Sequence, residues 1–469
     1  MNALKTGTKL FLGFVLAGAL LTYVLPWFIE LYKYQNRLVP PEEVVRTLEH
    51  IEKRIKEGCA LPWLSASEEE FNQNLRDAKM QLTSKMLPID VFKIIQPVLS
   101  VLNDQNIRFS VPTEPVYKVL PFSVTVVDRR VIVTSTADDS VPLGAEILAI
   151  NGIKKEELIE EFLKYTSGEC YELREQHLGT LIWLYPELSK KDRRFEVQVY
   201  RVPEKHTVTL KVDGEEKTVT VKTTTAYSFP KFVKDSAPRR GPFDFQIHGK
   251  IGILKLGTFS LREGMFNRYR DFLNGIFIQH PEMESLIIDV RGSAIRDLGV
   301  FKELLEHLVN HSITLDLKMN VVHTAYNLST LEKLGIPFSS STGELLTAPL
   351  KLELTPREPI FKGKVYVLAD RYTTQTSFDF LIFFHKLKRG KIIGEIPVTP
   401  VNHSAEVSSS YSPPMMMSYF YPTARVAEPK DALKFDAVFE MNTEERINYI
   451  LGKSDILLER AIEFVNKDH

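Results

Sequence analysis

The chain has 469 residues, of which 44% are hydrophobic and 25% are charged, so it is long enough for two or three globular domains. Its 59 basic and 60 acidic residues give a net charge of -1, which does not favour nucleic-acid binding. The two cysteines, Cys59 and Cys170, lie far apart and have neither a CxxC spacing nor a histidine nearby. We therefore expect no disulfide scaffold, no metal site and no cofactor.

The first element in chain order is an uncharged apolar stretch from Leu10 to Ile29. It is about as long as a helix needs to be to cross a hydrocarbon core of about 30 Å. Lys5 and Lys9 precede it, and aromatic residues cluster at its far end, where an interfacial belt would lie. We therefore predict a single transmembrane anchor, with residues 1–9 in the cytoplasm and the bulk of the chain outside it. A cleaved signal peptide and a buried core helix are the alternatives.

Three further regions precede the largest part of the chain. Residues 41–112 have apolar residues at helical spacing and predict a small helical subdomain, in which Ser67 and Glu70 form a capping-box pattern. Residues 113–222 alternate with a period of two around one or two helices, which predicts an α+β module. Residues 223–242 lack periodicity and are expected to be a linker.

From residue 243 onward, apolar strands alternate with amphipathic helices. This order predicts an α/β domain with a largely parallel sheet that is covered by helices. The fourth strand, "KVYVLAD", leads into a turn rich in threonine and serine and then into an apolar helix from Ser377 to Lys388. Such a turn exposes a side chain at a helix N-terminus, where backbone N–H groups can stabilise an anion. The segment 408–422 is expected to be an irregular loop that leads into a strand.

Six segments in this order resemble those of the tail-specific (C-terminal processing) serine proteases, in particular the membrane-anchored bacterial members. The resemblance covers nearly everything after the anchor. It implies a PDZ-like module at 113–222 and a crotonase/ClpP-like catalytic-type domain at 243–469, with proteolysis of peptide or protein tails as the family's activity. The matching segments are "LGAEILAINGIKKEELIEEFLKYTSGE", "IGILKLGTFS", "LIIDVRG", "KVYVLADRYTTQTSFDF", "KIIGE" and "ALKFDAVFEMNTEERINYILGKSDILLERAIEFV".

At the catalytic positions the sequence departs from the family pattern. Gln375 occupies the position of the nucleophilic serine, and a neutral amide cannot attack a carbonyl. The two positions at which members carry a lysine or histidine base fall near Pro400 and at Asn106. The loop expected to bind the oxyanion begins with Gly292 and Ser293 but lacks the family's further glycines. The resemblance therefore predicts a catalytically inactive pseudopeptidase that binds unfolded peptide or protein tails.

An active peptidase with a displaced catalytic set is the alternative. Ser377 or Thr376 would then be the nucleophile and His403 the base, although a helix-start role for the two hydroxyls and a surface position for the histidine are simpler. Asp289 and Arg291 are expected to form a buried pair that supports the site. The sequence leaves the oligomeric state open.

Overall fold

The computed structural model describes residues 38–112, 117–189, 204–235 and 241–468, apart from single residues at 258, 262, 294, 296, 413, 414 and 416. The predicted anchor, Leu10–Ile29, and residues 190–203 of the predicted α+β module lie outside these ranges. Among the helices within them, none is both long and apolar enough to cross a bilayer.

The chain begins with a helical region, as expected from its apolar spacing. Ser67 caps the second helix by accepting a hydrogen bond from the Glu70 N–H (3.0 Å). Leu48, Ile51 and Ile55 recur at helical spacing along the first helix and are fully buried. The helices are α1 (Pro41–Gly58), α2 (Glu68–Met80) and α3 (Pro88–Ser100).

The next region is built on a seven-stranded, antiparallel sheet in the order β10-β4-β5-β7-β8, with β3 paired to β4 and β6 to β5. Three short strands of this region lie outside that sheet, namely β1 (Arg108–Phe109), β2 (Lys118–Val119) and β9 (Thr224–Thr225). The strands of the sheet are β3 (Phe122–Val127), β4 (Arg130–Thr136), β5 (Glu146–Ile150), β6 (Ile153–Lys154), β7 (Lys205–Val212), β8 (Glu215–Lys222) and β10 (Lys234–Asp235). Its helices are α4 (Lys155–Leu163), α5 (Tyr171–Trp183), α6 (Tyr185–Leu188) and α7 (Phe229–Phe232).

Helix α5 packs directly against β3. A Cβ atom added to Gly179 would lie 2.2 Å from the Val124 carbonyl oxygen, so only glycine permits this approach. The expected linker, residues 223–242, also contains short regular elements, and β10 within it pairs with β4. The absence of periodicity is a poor guide here, because a two-residue strand is too short to show one.

The C-terminal region contains a six-stranded sheet in the order β11-β12-β13-β16-β17-β21. Its first pair is antiparallel and the other pairs are parallel, which agrees with the expected largely parallel sheet. The strands are β11 (Phe243–His248), β12 (Ile251–Leu256), β13 (Ser285–Asp289), β16 (Lys364–Ala369), β17 (Lys391–Gly394) and β21 (Ala437–Val438). The helices are α8 (Glu263–Gln279), α9 (Leu298–Glu306), α10 (Leu328–Lys333), α11 (Gln375–Leu387), α12 (Thr443–Ile450) and α13 (Ile456–Lys467).

Two smaller sheets flank this domain. One has the order β15-β14-β20, from β14 (Ile313–Val322), β15 (Leu345–Leu354) and β20 (Ala424–Val426). The other has the order β1-β19-β18 and joins the helical region to a hairpin of β18 (Val407–Ser412) and β19 (Met417–Pro422). The expected irregular loop at 408–422 is therefore a hairpin, because cross-strand pairing satisfies the backbone of this serine-rich segment.

The α+β module touches the C-terminal domain close to the turn that precedes α11. Val127 and Ile132 of the module pack against Ile447 and Leu451. Beside them, Asp128 accepts hydrogen bonds from Arg371 (3.1 Å) and Thr443 (2.7 Å). Arg371 belongs to the turn itself, so the module is connected to the candidate site.

Candidate active site

The candidate site is the turn between β16 and α11. Gln375 is the first residue of α11, is half-buried and has φ 55. This left-handed conformation is uncommon for a residue other than glycine, asparagine or aspartate. The structure therefore places the glutamine at a sharp strand-to-helix turn, which is the position that sequence reasoning gave to a nucleophile.

The carboxylate of Asp370 organises this turn. It accepts hydrogen bonds from the Thr373 hydroxyl (2.9 Å) and from the Gly292 N–H (3.1 Å), and burial raises its pKa. Gly292 has φ 58 and begins the loop in which oxyanion donors were expected. One backbone N–H of that loop is therefore already bonded to a carboxylate of the protein.

The predicted fallback hydroxyls lie one and two residues beyond Gln375. Ser377 is fully buried and donates its hydroxyl hydrogen to the Ser293 oxygen (3.0 Å), so these two predicted site residues are in contact. Thr376 is half-buried. Ser293 also directs its own hydroxyl toward the Gly257 carbonyl (3.5 Å), which places Ser377 in a chain of internal polar contacts.

His403 is fully buried in the loop that follows β17, not on the surface as its simpler interpretation suggested. Its Nε2 lies 3.1 Å from Asp379 Oδ1, although the angles are outside hydrogen-bond geometry, and its Nδ1 lies 3.2 Å from the Val401 carbonyl. Burial would lower the pKa of His403, but the Asp379 carboxylate outweighs it and the net shift is upward. Both ring nitrogens therefore face groups other than Ser377 or Thr376. Pro400, at the expected lysine position, accepts a hydrogen bond from the His403 backbone N–H (3.1 Å).

Asn106, at the expected histidine position, faces the same loop. Its side-chain amide donates to the Ser404 carbonyl (3.2 Å), and its backbone N–H donates to Asp104 Oδ1 (2.8 Å). Asp104 in turn forms a buried ion pair with Arg425 and accepts the Ser404 hydroxyl. The loop from the helical region is thus fixed to the C-terminal domain by a charged pair.

Glu169, from the loop before α5, completes what we term the interdomain charge cluster. The residue is half-buried, but its Oε1 atom is inaccessible and has no hydrogen-bond partner among the described residues. Its other oxygen accepts a long bond from the Gln105 N–H (3.4 Å). Burial, reinforced by the Asp104 carboxylate, raises the pKa of Glu169 to about 7. The cluster consists of Asp104, Glu169, Asp379, His403 and Arg425.

Beneath the site, Asp289 and Arg291 form a bidentate, buried ion pair with distances of 2.8 and 2.7 Å. Arg291 also contacts Asp455, the cap of α13, at 2.6 Å. Burial alone disfavours the charged guanidinium, yet these carboxylates hold the pKa of Arg291 above its usual value. Within the described residues, no group of three or more acidic, histidine or cysteine side chains is arranged to hold a metal ion.

Sequence reasoning missed five residues that shape the site. Asp379 had a detectable signal, because it is the one charged residue in the apolar run of α11 and lies one turn after Gln375. Asp370 also had a local signal, since the Thr373 hydroxyl that it accepts is only three residues away. The other three, Asp104, Glu169 and Arg425, are brought together by contacts between distant parts of the chain.

The chain is similar to several proteins of known structure. Mature CPAF is similar over 91% of this chain and 98% of its own, with a TM-score of 0.63 and 13% sequence identity. Mature CPAF complexed with lactacystin gives the same coverage and identity with a TM-score of 0.64. A photosystem II D1 C-terminal processing protease covers 88% of this chain and 98% of its own at 14% identity, with a TM-score of only 0.42.

No protein-family model matches the sequence, and a search of curated proteins returns no match. The similarity to CPAF shows a shared fold alone at this level of identity. The resemblance of the six segments to the tail-specific proteases stays a prediction from the sequence, beside the fold that this chain shares with CPAF.

Proposed function

We propose that this protein is a catalytically inactive relative of the tail-specific serine peptidases that holds unfolded peptide or protein tails outside the cytoplasm. One observation carries the proposal. The residue held in the left-handed conformation at the start of α11 is Gln375, whose amide is no nucleophile. Membrane attachment through Leu10–Ile29 rests on the sequence pattern.

The surroundings of Gln375 support the loss of catalysis. A peptidase of this type needs a base and free oxyanion donors in addition to a nucleophile. Here the Gly292 N–H bonds to Asp370, and Asn106 offers only an amide that is bonded to Ser404. An acyl-transfer reaction would have to break these contacts before the transition state could form.

Peptide binding is better supported at the turn before α11 than at the α+β module. Strand addition along β3 would require α5 to move away, because Gly179 contacts the Val124 carbonyl without any space for another chain. Thr376, next to Gln375, is half-buried and thus partly accessible from outside. The turn before α11 is therefore the proposed peptide-binding site.

The test incubates the purified protein with a set of unfolded peptides and follows cleavage by mass spectrometry and binding by fluorescence anisotropy. We expect saturable binding without cleavage. Thr376→Arg should weaken binding by placing a long side chain at the turn, whereas Thr347→Arg, at an exposed position of β15, should not. Cleavage that is lost in Ser377→Ala and unchanged in Gln375→Ala would instead identify the displaced catalytic set.

A further inference from the structure

The strand β11 forms one edge of the six-stranded sheet. Among the described residues, no strand pairs with its outer side. Its register with β12 runs without a bulge from Phe243 opposite Leu256 to His248 opposite Ile251. An edge of this kind presents backbone N–H and C=O groups to which another strand can bond.

Both ends of the β11–β12 hairpin show which residues point their backbone groups outward. At one end the Gly257 N–H donates to the Pro242 carbonyl (2.9 Å), and at the other a two-residue turn with Gly249 at φ 62 connects His248 to Ile251. Bonding alternates along an antiparallel strand, so every second residue of β11 faces β12. The residues whose backbone groups face outward are Phe243, Phe245 and Ile247.

This edge has fewer of the features that normally prevent strands from pairing than the sheet edges formed by β8 and β15 have. Strand β8, at the edge of the module sheet, carries four charged residues in eight, and β15 has Pro349 in its middle. The residues of β11 whose backbone groups face outward have aromatic or aliphatic side chains, and 37% of the Ile247 surface is exposed. Charged or polar side chains occur only at the alternate positions, Asp244, Gln246 and His248.

We propose that β11 pairs antiparallel with β11 of a second copy of this chain, about a two-fold axis that passes through Gln246. In this register the backbone of Phe245 exchanges hydrogen bonds with that of Ile247 in the second copy. Asp244 then lies opposite His248 of the second copy, in a closely spaced pair that sets a carboxylate against an imidazole. The two sheets become one continuous sheet.

The charge pattern selects this register over its nearest rival. A two-fold axis through Phe245 would also satisfy the alternation of backbone groups. It would place Asp244 opposite Gln246 and leave His248 beyond the paired residues. Of these two axes, the one through Gln246 brings Asp244 opposite His248, twice by symmetry. Because each strand contributes only six residues, we expect a reversible dimer.

A cysteine cross-link tests both the contact and its register. Residues on the two-fold axis have Cα atoms about 4.5 Å apart, within the range that a disulfide spans. The full-length protein carrying Gln246→Cys in a Cys170→Ser background should form a covalent dimer under mild oxidation, while native Cys59 is buried. Thr347→Cys, exposed on another strand, is the matched control and should remain monomeric on a non-reducing gel.

A second substitution series separates pairing from misfolding. Ile247→Lys, added to the Gln246→Cys protein, should reduce the cross-linked fraction at least fivefold and leave the thermal transition unchanged. Ile278→Lys, at a position 65% exposed on α8, should leave the dimer intact. Equal effects of the two lysines, no excess of cross-linking over Thr347→Cys, or faster cross-linking of Phe245→Cys than of Gln246→Cys would overturn the proposal.

Discussion

Replacing Glu169 by glutamine should remove a pH-dependent loss of stability that arises in the interdomain charge cluster. Burial and Asp104 raise the pKa of this carboxyl to about 7 in the folded protein, from an ordinary value of 4.5. The folded state thus prefers the protonated form. Its contribution to stability is fully present below about pH 4.5 and is lost as pH rises through about 7. Glutamine resembles the protonated acid and does not titrate.

The size of the effect follows from the shift. A difference of about 2.5 pKa units corresponds to roughly 3 kcal/mol at 1.36 kcal/mol per unit. This is an upper value, because solvent at the half-buried side chain screens part of the effect. Glu169→Gln should therefore match the parent near pH 4.5 and exceed it by about 1–3 kcal/mol above pH 8. Urea unfolding, followed by circular dichroism at several pH values, measures the difference between the two midpoints.

The control is Glu161→Gln, whose side chain on the same module is 56% exposed and forms an ion pair with Lys164. This variant should follow the parent at every pH. If Glu169→Gln also follows the parent between pH 5 and 8.5, then Glu169 is ionised throughout and the cluster does not exclude water. That outcome would refute the raised pKa of Glu169 in the interdomain charge cluster.

Two further predictions concern buried contacts. Asp379→Asn should lower the pKa of His403, because burial is then opposed only by the smaller effects of Glu169 and the Val401 carbonyl. NMR titration of the imidazole would show this, and an unchanged pKa would mean that Asp379 is not the cause. Gly390→Ala should lower stability by about 1–3 kcal/mol or more, since its Cβ would lie 2.0 Å from the Val365 carbonyl oxygen. Gly264→Ala, with open space around the Cβ on α8, should be neutral or slightly stabilising in the same thermal melts.

Local sequence patterns predicted the secondary structure around the site. They did not predict the residues that reach the site from distant parts of the chain. The strand, turn and helix around Gln375 follow from an apolar β run and an apolar helix that are adjacent in sequence. The Asp104–Arg425 pair joins residues 321 positions apart, for which no local pattern exists. Strand β15 was missed for a different reason. Its Pro349 argues against a strand, but at a sheet edge a proline is tolerated because its missing N–H can face outward.

The hydrogen bonds already made by Gly292 and Asn106 also predict that activity cannot be restored by a single change. Gln375→Ser would supply a hydroxyl, but the Gly292 N–H would still bond to Asp370, and Asn106 would still lack a basic nitrogen. Loss of one member of a catalytic triad costs on the order of 10⁴-fold in rate, so we expect no cleavage above background from Gln375→Ser alone. Peptide hydrolysis, measured beside Gln375→Ala as the matched control, tests this. Cleavage by Gln375→Ser would mean that a base and an oxyanion site are still available, and that the glutamine alone prevents catalysis.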